Sequence, residues 1–464
     1  MKPRPTVNDP QDDLFKTRLS DLVNPNHALC RLAHQIDWAQ LEKHIAPHFS
    51  DLGAAALPVR LMAGLLYLEH AFNVSDERVV EQWLESPYWQ YFCGETFFQH
   101  EFPCNPSSLT RWRQRLGEEG CEWLLTATID AGLKSKLVKP SSLKRVVIDT
   151  TVQEKNIRFP TDSQLQNQSR KQLVTLAHEL GISLRQTYQK QARFLLPKIG
   201  RYAHAKQFKR MRKALKKIKN ALGCVYRDLL RKITSDMHLN QAQVQVLFHA
   251  ERLLNQQKHS KQKLYSLHAP ETECLSKGKA HKRYEFGVKA SFATTLRECF
   301  VVGARSFAGN PYDGHTLNEQ LEQTKTLCND KLIEEAYVDK GYRGSGYEGN
   351  TTIIIAGQKR GITQLQKRRL NRRNSIEPII GHMKQDGKLG RCYLKGQTGD
   401  AINVILCGAG QNIRKLLRWL CFAWYLLSIR QLHWLFSSRA KQESDTDVRH
   451  SASLAAQSVL IRVD

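Results

Sequence analysis

The chain has 464 residues, enough for two or three domains, with 70 Lys and Arg against 44 Asp and Glu and a net charge of +26. Solubility needs far less charge than that, so the balance points to a polyanionic partner. The eleven cysteines are scattered without a Cys-x-x-Cys pair, which argues against a disulfide framework and a zinc ribbon. The opening residues lack the apolar core of a signal peptide, and the apolar run Leu416 to Ile429 is broken by Arg418. That run is too short to span a bilayer, so a cytoplasmic, nucleoid-associated protein without membrane contact is expected.

Residues 1–135 read as helical. Pro58 opens an apolar helix from Val59, and Ser75-Asp-Glu caps a second. Pro106-Ser-Ser opens a third over Leu109 to Leu116, which Gly117 can end. Arg111, Arg113 and Arg115 are expected on its basic face, with Leu109, Trp112 and Leu116 on the other. This is a helix-turn-helix-like pattern, with Arg111 and Arg113 as groove contacts. A solvated face on a small helical bundle is the plain alternative.

From Lys144 the pattern turns to strands. Val146-Val147-Ile148 forms a short run that ends in Asp149. The next clear strand is 284–292, alternating at period two, and Cys299 to Ala304 completes a hairpin. Asp313-Gly-His-Thr starts a helix that buries Leu317, Leu321 and Leu327. Ala336 to Val338 leads into Asp339, and Thr351 to Ala356 is a further strand. Between the first two strands, at about 160–270, lies a basic helical insertion. Its residues 185–232 hold sixteen Lys or Arg and one acid, Asp228. Phe208, Met211, Leu215 and Ile218 share one face there, leaving Lys209, Arg210, Lys213 and Lys216 to track phosphates. Helices at Ala401 to Cys407 and Asn412 to Leu435 follow, then a polar tail over 438–464.

The chemistry is concentrated in Arg372-Arg373-Asn-Ser-Ile-Glu377-Pro-Ile-Ile-Gly-His-Met-Lys384. On a helix Glu377, Gly381, Lys384 and Lys388 fall on one stripe, so an acid stands among cations. Ser375 as N-cap would leave Pro378 in the first turn, where proline is tolerated. Asp149, Asp339 and Glu377 are together the oxygen donors that two divalent ions need for phosphodiester cleavage.

The segments Val147-Ile-Asp149-Thr-Thr and Tyr337-Val-Asp339-Lys-Gly-Tyr-Arg343-Gly, with Arg373-x3-Glu377-x6-Lys384, resemble the DDE transposases of bacterial insertion sequences. One large branch carries Tyr-x2-Arg-x3-Glu-x6-Lys, and the Tyr position here is Leu370. Lys277-Gly-Lys-Ala-His-Lys-Arg-Tyr-Glu-Phe-Gly is also similar to these proteins. The resemblance covers roughly 50–425 and implies an α/β fold, an RNase H-like mixed sheet flanked by helices over 140–435. It implies catalysis and binding of two Mg2+ ions, or Mn2+ as substitute, by Asp149, Asp339 and Glu377. Arg373, Lys384, Arg343 and Lys388 would contact double-stranded DNA, with a homodimer or higher oligomer on it. The implied activity is cleavage at inverted-repeat ends and joining of the 3′-hydroxyl to target DNA. A DNA-binding derivative that no longer cuts is the alternative.

Overall fold

The β-branched run Val146-Val147-Ile148 forms the middle of a sheet, where a strand buried on both faces favours such side chains. In this computed structural model, which describes residues 16–49, 56–234, 237–257, 259–261, 263–276 and 282–422, that strand is β1, Arg145–Glu154. It continues through Thr150, Thr151 and Val152, so Asp149 lies within the strand and does not end it. The following strands are β2 (Glu273–Leu275), β3 (Glu285–Thr295), β4 (Val301–Phe307), β5 (Glu335–Val338) and β6 (Thr352–Ile355). They are ordered β2-β3-β1-β5-β6, with β4 also paired to β3. β3 runs antiparallel to β1, from Val146 opposite Thr295 to Glu154 opposite Gly287. β5 runs parallel to β1, with Val147 beside Tyr337, and β6 runs parallel to β5. The architecture is therefore a mixed α/β one with many helices.

The alternation expected in 284–292 does not mark a wet face. Lys289, Ser291 and Thr295 are buried along with Val288, Ala290 and Phe292, because helices pack over this part of the sheet. The helix Leu317–Leu327 packs on β3 and β4 through Leu317, Leu321 and Leu327, in agreement with their spacing. The two C-terminal helices expected from sequence are one, continuous over 396–422. Its Asn412 side chain donates to Thr128 Oγ1 and Val301 O and accepts from Val301 N. The extension to Leu435, the 438–464 tail and the 277–281 part of the basic motif lie outside the described residues.

The N-terminal helices share one core with the sheet, running from Ala28 to Leu420. The boundary expected at about 135–140 is thus no break in packing. Val59–Phe72 is the central helix there and is buried nearly all round. The helix opened by Pro106 runs Ser107–Lys134, but Gly117 (φ 64°, ψ −158°) interrupts it, a conformation suited to glycine. The span after β1 holds helices Asp162–Glu179, Gln189–His204, Phe208–Lys232 and Gln241–Asn255. They form two small cores of their own, around Leu222 and around Ile218. Phe208 does not join the buried stripe and is 52 % exposed; the stripe runs through Met211, Ala214 and Ile218. Lys155, after β1, pairs with Glu271 at 2.7 Å and Asp400 at 2.8 Å, so both ends of this span meet the last helix.

Candidate active site

The parallel register that sets Val147 beside Tyr337 points both strands the same way, with Asp149 two residues further along β1 and Asp339 just past the end of β5. Each carboxylate is held by backbone. Asp149 Oδ1 accepts from Thr150 N at 2.8 Å, and Asp339 Oδ1 accepts from Gly341 N at 2.8 Å. The third acid arrives on the helix Ile376–Gln385, which follows a short 3-10 turn, Arg372–Ser375. Ile376, Ile380 and Met383 are its buried face, and that turns Glu377 outward, 61 % exposed. Pro378 sits in the first turn, as expected. Ser375 holds the N-cap position but its side chain caps nothing; it accepts from Cys299 Sγ at 3.2 Å instead.

Arg373 joins the two parts. Its guanidinium, 11 % exposed, lies 3.0 Å from Glu377 Oε1 and 3.8 Å from Asp149 Oδ2. It is the local counter-charge for both acids. The donors have the hard oxygen chemistry that divalent ions such as Mg2+ take. Among the described residues no three such donors converge on one point, with Arg373 standing between Asp149 and Glu377.

Asp313, Thr150, Lys289 and Tyr342 complete this wall, and sequence reasoning missed each of them as site residues. Asp313, expected only as a helix start, directs Oδ1 to Thr150 Oγ1 at 3.0 Å and Lys289 Nζ at 2.8 Å. Lys289 is buried and also donates to Pro311 O. Tyr342 is fully buried beside Thr316 without a well-formed hydrogen bond at its hydroxyl. Burial raises its pKa well above the usual tyrosine value, and the charges of Asp149, Asp313 and Asp339 raise it further. Lys289 does leave a signal in the sequence: a lysine inside a strand of apolar and small residues.

The cation candidates divide. Arg343 and Arg111 are exposed, as are Lys209, Arg210, Lys213 and Lys216; Lys384 is half-buried. Arg113 and Lys388 face inward. Arg113 pairs with Glu69 at 2.8 Å and with Asp76, and Lys388 pairs with the same Glu69. The expectation of a groove-facing Arg113 is corrected by its spacing: Leu109, Trp112, Arg113 and Leu116 make one helical face, and all four are buried. Lys388 leaves the Glu377 stripe because the helix stops at Gln385 and a 3-10 turn carries Lys388 into the interior.

Asp149 on β1, Asp339 just after β5 and Glu377 on a following helix are thus carried by a mixed α/β fold. Residues 17–115 match the family described as a transposase domain (DUF772), and residues 350–417 match a transposase DDE domain, which takes in Arg373, Glu377 and Lys384. The uncharacterized protein ORF8 in the nfe locus of Rhizobium meliloti is 47 % identical over 198 residues, 43 % of this chain and 96 % of that protein. No solved structure matches. The chain belongs to the DDE transposases of insertion sequences. Among the described residues no helix is long and apolar enough to cross a membrane.

Proposed function

We propose that this transposase binds the inverted-repeat ends of its element, hydrolyses a DNA strand there and joins the freed 3′-hydroxyl to target DNA. The observation that supports the reading is the Arg373 bridge from Asp149 to Glu377, next to the parallel β1–β5 pairing that carries Asp149 and Asp339 in the same direction. An RNase H-like core is supported by the strand order, in which β4, β3 and β1 are antiparallel and β5 and β6 follow parallel to β1. Asp149, Asp339 and Glu377 would hold two Mg2+ ions, which when bound supply an activated nucleophile and stabilise the leaving oxygen.

The chain's own residues do the remaining work. Arg373 must leave the gap between Asp149 and Glu377 for all three acids to converge; a bound divalent cation would itself displace the guanidinium, and a DNA phosphate is the anion that would receive it. Lys384 and Arg343 hold neighbouring phosphates, Arg111 reaches the DNA from the N-terminal helices, and Lys209, Arg210, Lys213 and Lys216 add affinity that ignores sequence. A nucleoid location, and a dimer or larger assembly on paired ends, belong to the same reading.

The deciding experiment is incubation of the purified protein with end-containing DNA and Mg2+, with cut positions read at nucleotide resolution. Cuts at the element ends that vanish in Asp149→Asn, Asp339→Asn and Glu377→Gln, with DNA binding retained, are expected. Cutting at near wild-type rate in any one variant removes that residue from the set.

A further inference from the structure

Asp313 stands where its local sequence gives no reason for it. An aspartate at the start of a helix ordinarily caps backbone N–H groups. Here Tyr312 holds the N-cap position of the 3-10 turn Asp313–Thr316, and the Asp313 carboxylate makes no capping bond. It reaches across to β1 and β3 instead, where Thr150 and Lys289 both donate to Oδ1. Two donors on one oxygen fix the plane of the carboxylate and leave Oδ2 without a hydrogen-bond donor among the described residues. That oxygen is turned toward the second acid: a methyl group placed on Gly341 would lie 3.1 Å from Asp313 Oδ2 and 2.9 Å from Asp339 Oδ1. Glycine at 341 keeps the gap between these two oxygens open.

A separate observation points to a ligand in the gap. The Tyr342 hydroxyl, in a side chain with no exposed surface, lies within reach of the charges of Asp149, Asp313 and Asp339, and beside Thr316 it lacks a well-formed hydrogen bond. A buried polar group left so is costly unless something else meets it. Lys289 and Arg373 offset part of the charge of Asp149, Asp313 and Asp339, but Lys289 does so through Oδ1 and Arg373 through Asp149. Neither bridges Asp313 Oδ2 to Asp339.

We infer that Asp313 is a fourth carboxylate of the site, giving a divalent cation of the Mg2+ class an oxygen ligand, Oδ2, beside Asp339. This rests on the metal-dependent reading of Asp149, Asp339 and Glu377. Thr150 and Lys289 act as positioning residues, holding Oδ1 so that Oδ2 keeps its direction. The competing account makes Asp313 only the counter-ion of a buried lysine, a role that involves no cation.

Mn2+ binding separates the two without any DNA cleavage. The full-length protein is titrated with Mn2+, and free ion is followed by its paramagnetic resonance signal. Asp313→Asn keeps an oxygen for Thr150 and Lys289 but replaces the free acceptor with an amide N–H, which repels a cation. Because that change leaves Lys289 without a full charge partner, the double variant Asp313→Asn/Lys289→Met, which removes both charges, is measured beside it, with thermal unfolding as a check on folding. The expected result is Mn2+ binding at least about tenfold weaker in Asp313→Asn and in the double variant, comparable with Asp149→Asn, while the folded state is retained. Wild-type binding in either Asp313 variant, alongside a loss in Asp149→Asn, overturns the inference and leaves the three-acid reading intact. Wild-type protein that retains no Mn2+ removes the metal reading itself, and the inference with it.

Discussion

Arg373 spans two acids that are far apart in the chain, 3.0 Å from Glu377 and 3.8 Å from Asp149. The Arg373–Glu377 contact is the ordinary pairing of residues four apart, but the reach to Asp149 is not, and it places the guanidinium inside the site. Arg373→Ala is expected to slow single-turnover cleavage strongly, on the order of a hundredfold, with a modest loss of DNA affinity, because a displaced scissile phosphate forfeits alignment. Arg373→Lys should rescue poorly, since an ammonium cannot reproduce a two-pronged contact. Full activity in the alanine variant would reduce Arg373 to a surface partner of Glu377.

Arg113 and Arg111, two positions apart, should behave oppositely. Arg113 is buried with Glu69 and Asp76, so Arg113→Ala leaves Asp76 without its cation and Glu69 with Lys388 alone, and is expected to cost about 3 kcal/mol of stability. Arg111 is exposed and bonded only locally, to Ser107 Oγ at 3.1 Å; Arg111→Ala should leave unfolding unchanged and weaken DNA binding. Urea unfolding and a filter-binding titration on both variants give the comparison. Equal stability in the two would refute the assignment of Arg113 to the interior.

The exposed cations of the Phe208–Lys232 helix predict a salt effect. Neutralising Lys209, Arg210, Lys213 and Lys216 together should weaken binding to specific and non-specific duplexes alike. The slope of log affinity against log salt should become shallower by about 0.9 for each phosphate that these cations neutralise in the wild-type complex. An unchanged slope would mean that this face is only solvated.

His70 predicts an acid-sensitive fold. Its ring is buried, with Nδ1 3.0 Å from Leu66 O. Burial, followed by the charges of Lys388 and Arg113, lowers its pKa well below the usual 6.5. Below 6.5 the unfolded chain takes up a proton that the folded chain refuses, so this contribution to stability is present above 6.5 and lost as pH falls beneath it. The slope from this one site is about 1.4 kcal/mol per pH unit. His70→Asn, which keeps a donor for Leu66 O, should flatten the decline between about pH 7.5 and pH 5.5 in urea titrations. A slope identical to wild type would show that other groups set it.

The carboxylates are legible in the sequence because strand patterns and the Arg-x3-Glu-x6-Lys spacing are local properties. Asp149 and Asp339 follow runs of apolar residues, and Glu377 lies among cations. The length of β1 beyond Asp149 is missed because an aspartate after an apolar run reads as a turn, although the β-branched Thr150, Thr151 and Val152 favour a continued strand. Charge type alone makes Arg113 and Lys388 look like DNA contacts, but charge does not decide direction; for Arg113 the helical spacing of its buried neighbours already holds the answer. Asp313 cannot be found that way. Its role depends on Thr150 and Lys289, which only the pairing of β1 with β3 brings within reach.

The Lys155–Glu271 ion pair has a consequence for how the chain folds. β1 must find β3 across the whole helical span between them, and contacts between residues so distant in sequence are slow to form. Four helices with their own small cores are assembled largely from nearby residues, which favours their early formation. Once they have formed, their two ends lie side by side. The search of β1 for its partner then becomes the closure of a short loop, with a far smaller entropic penalty. Substitutions that loosen this helical unit should therefore delay formation of the sheet even where they touch no strand.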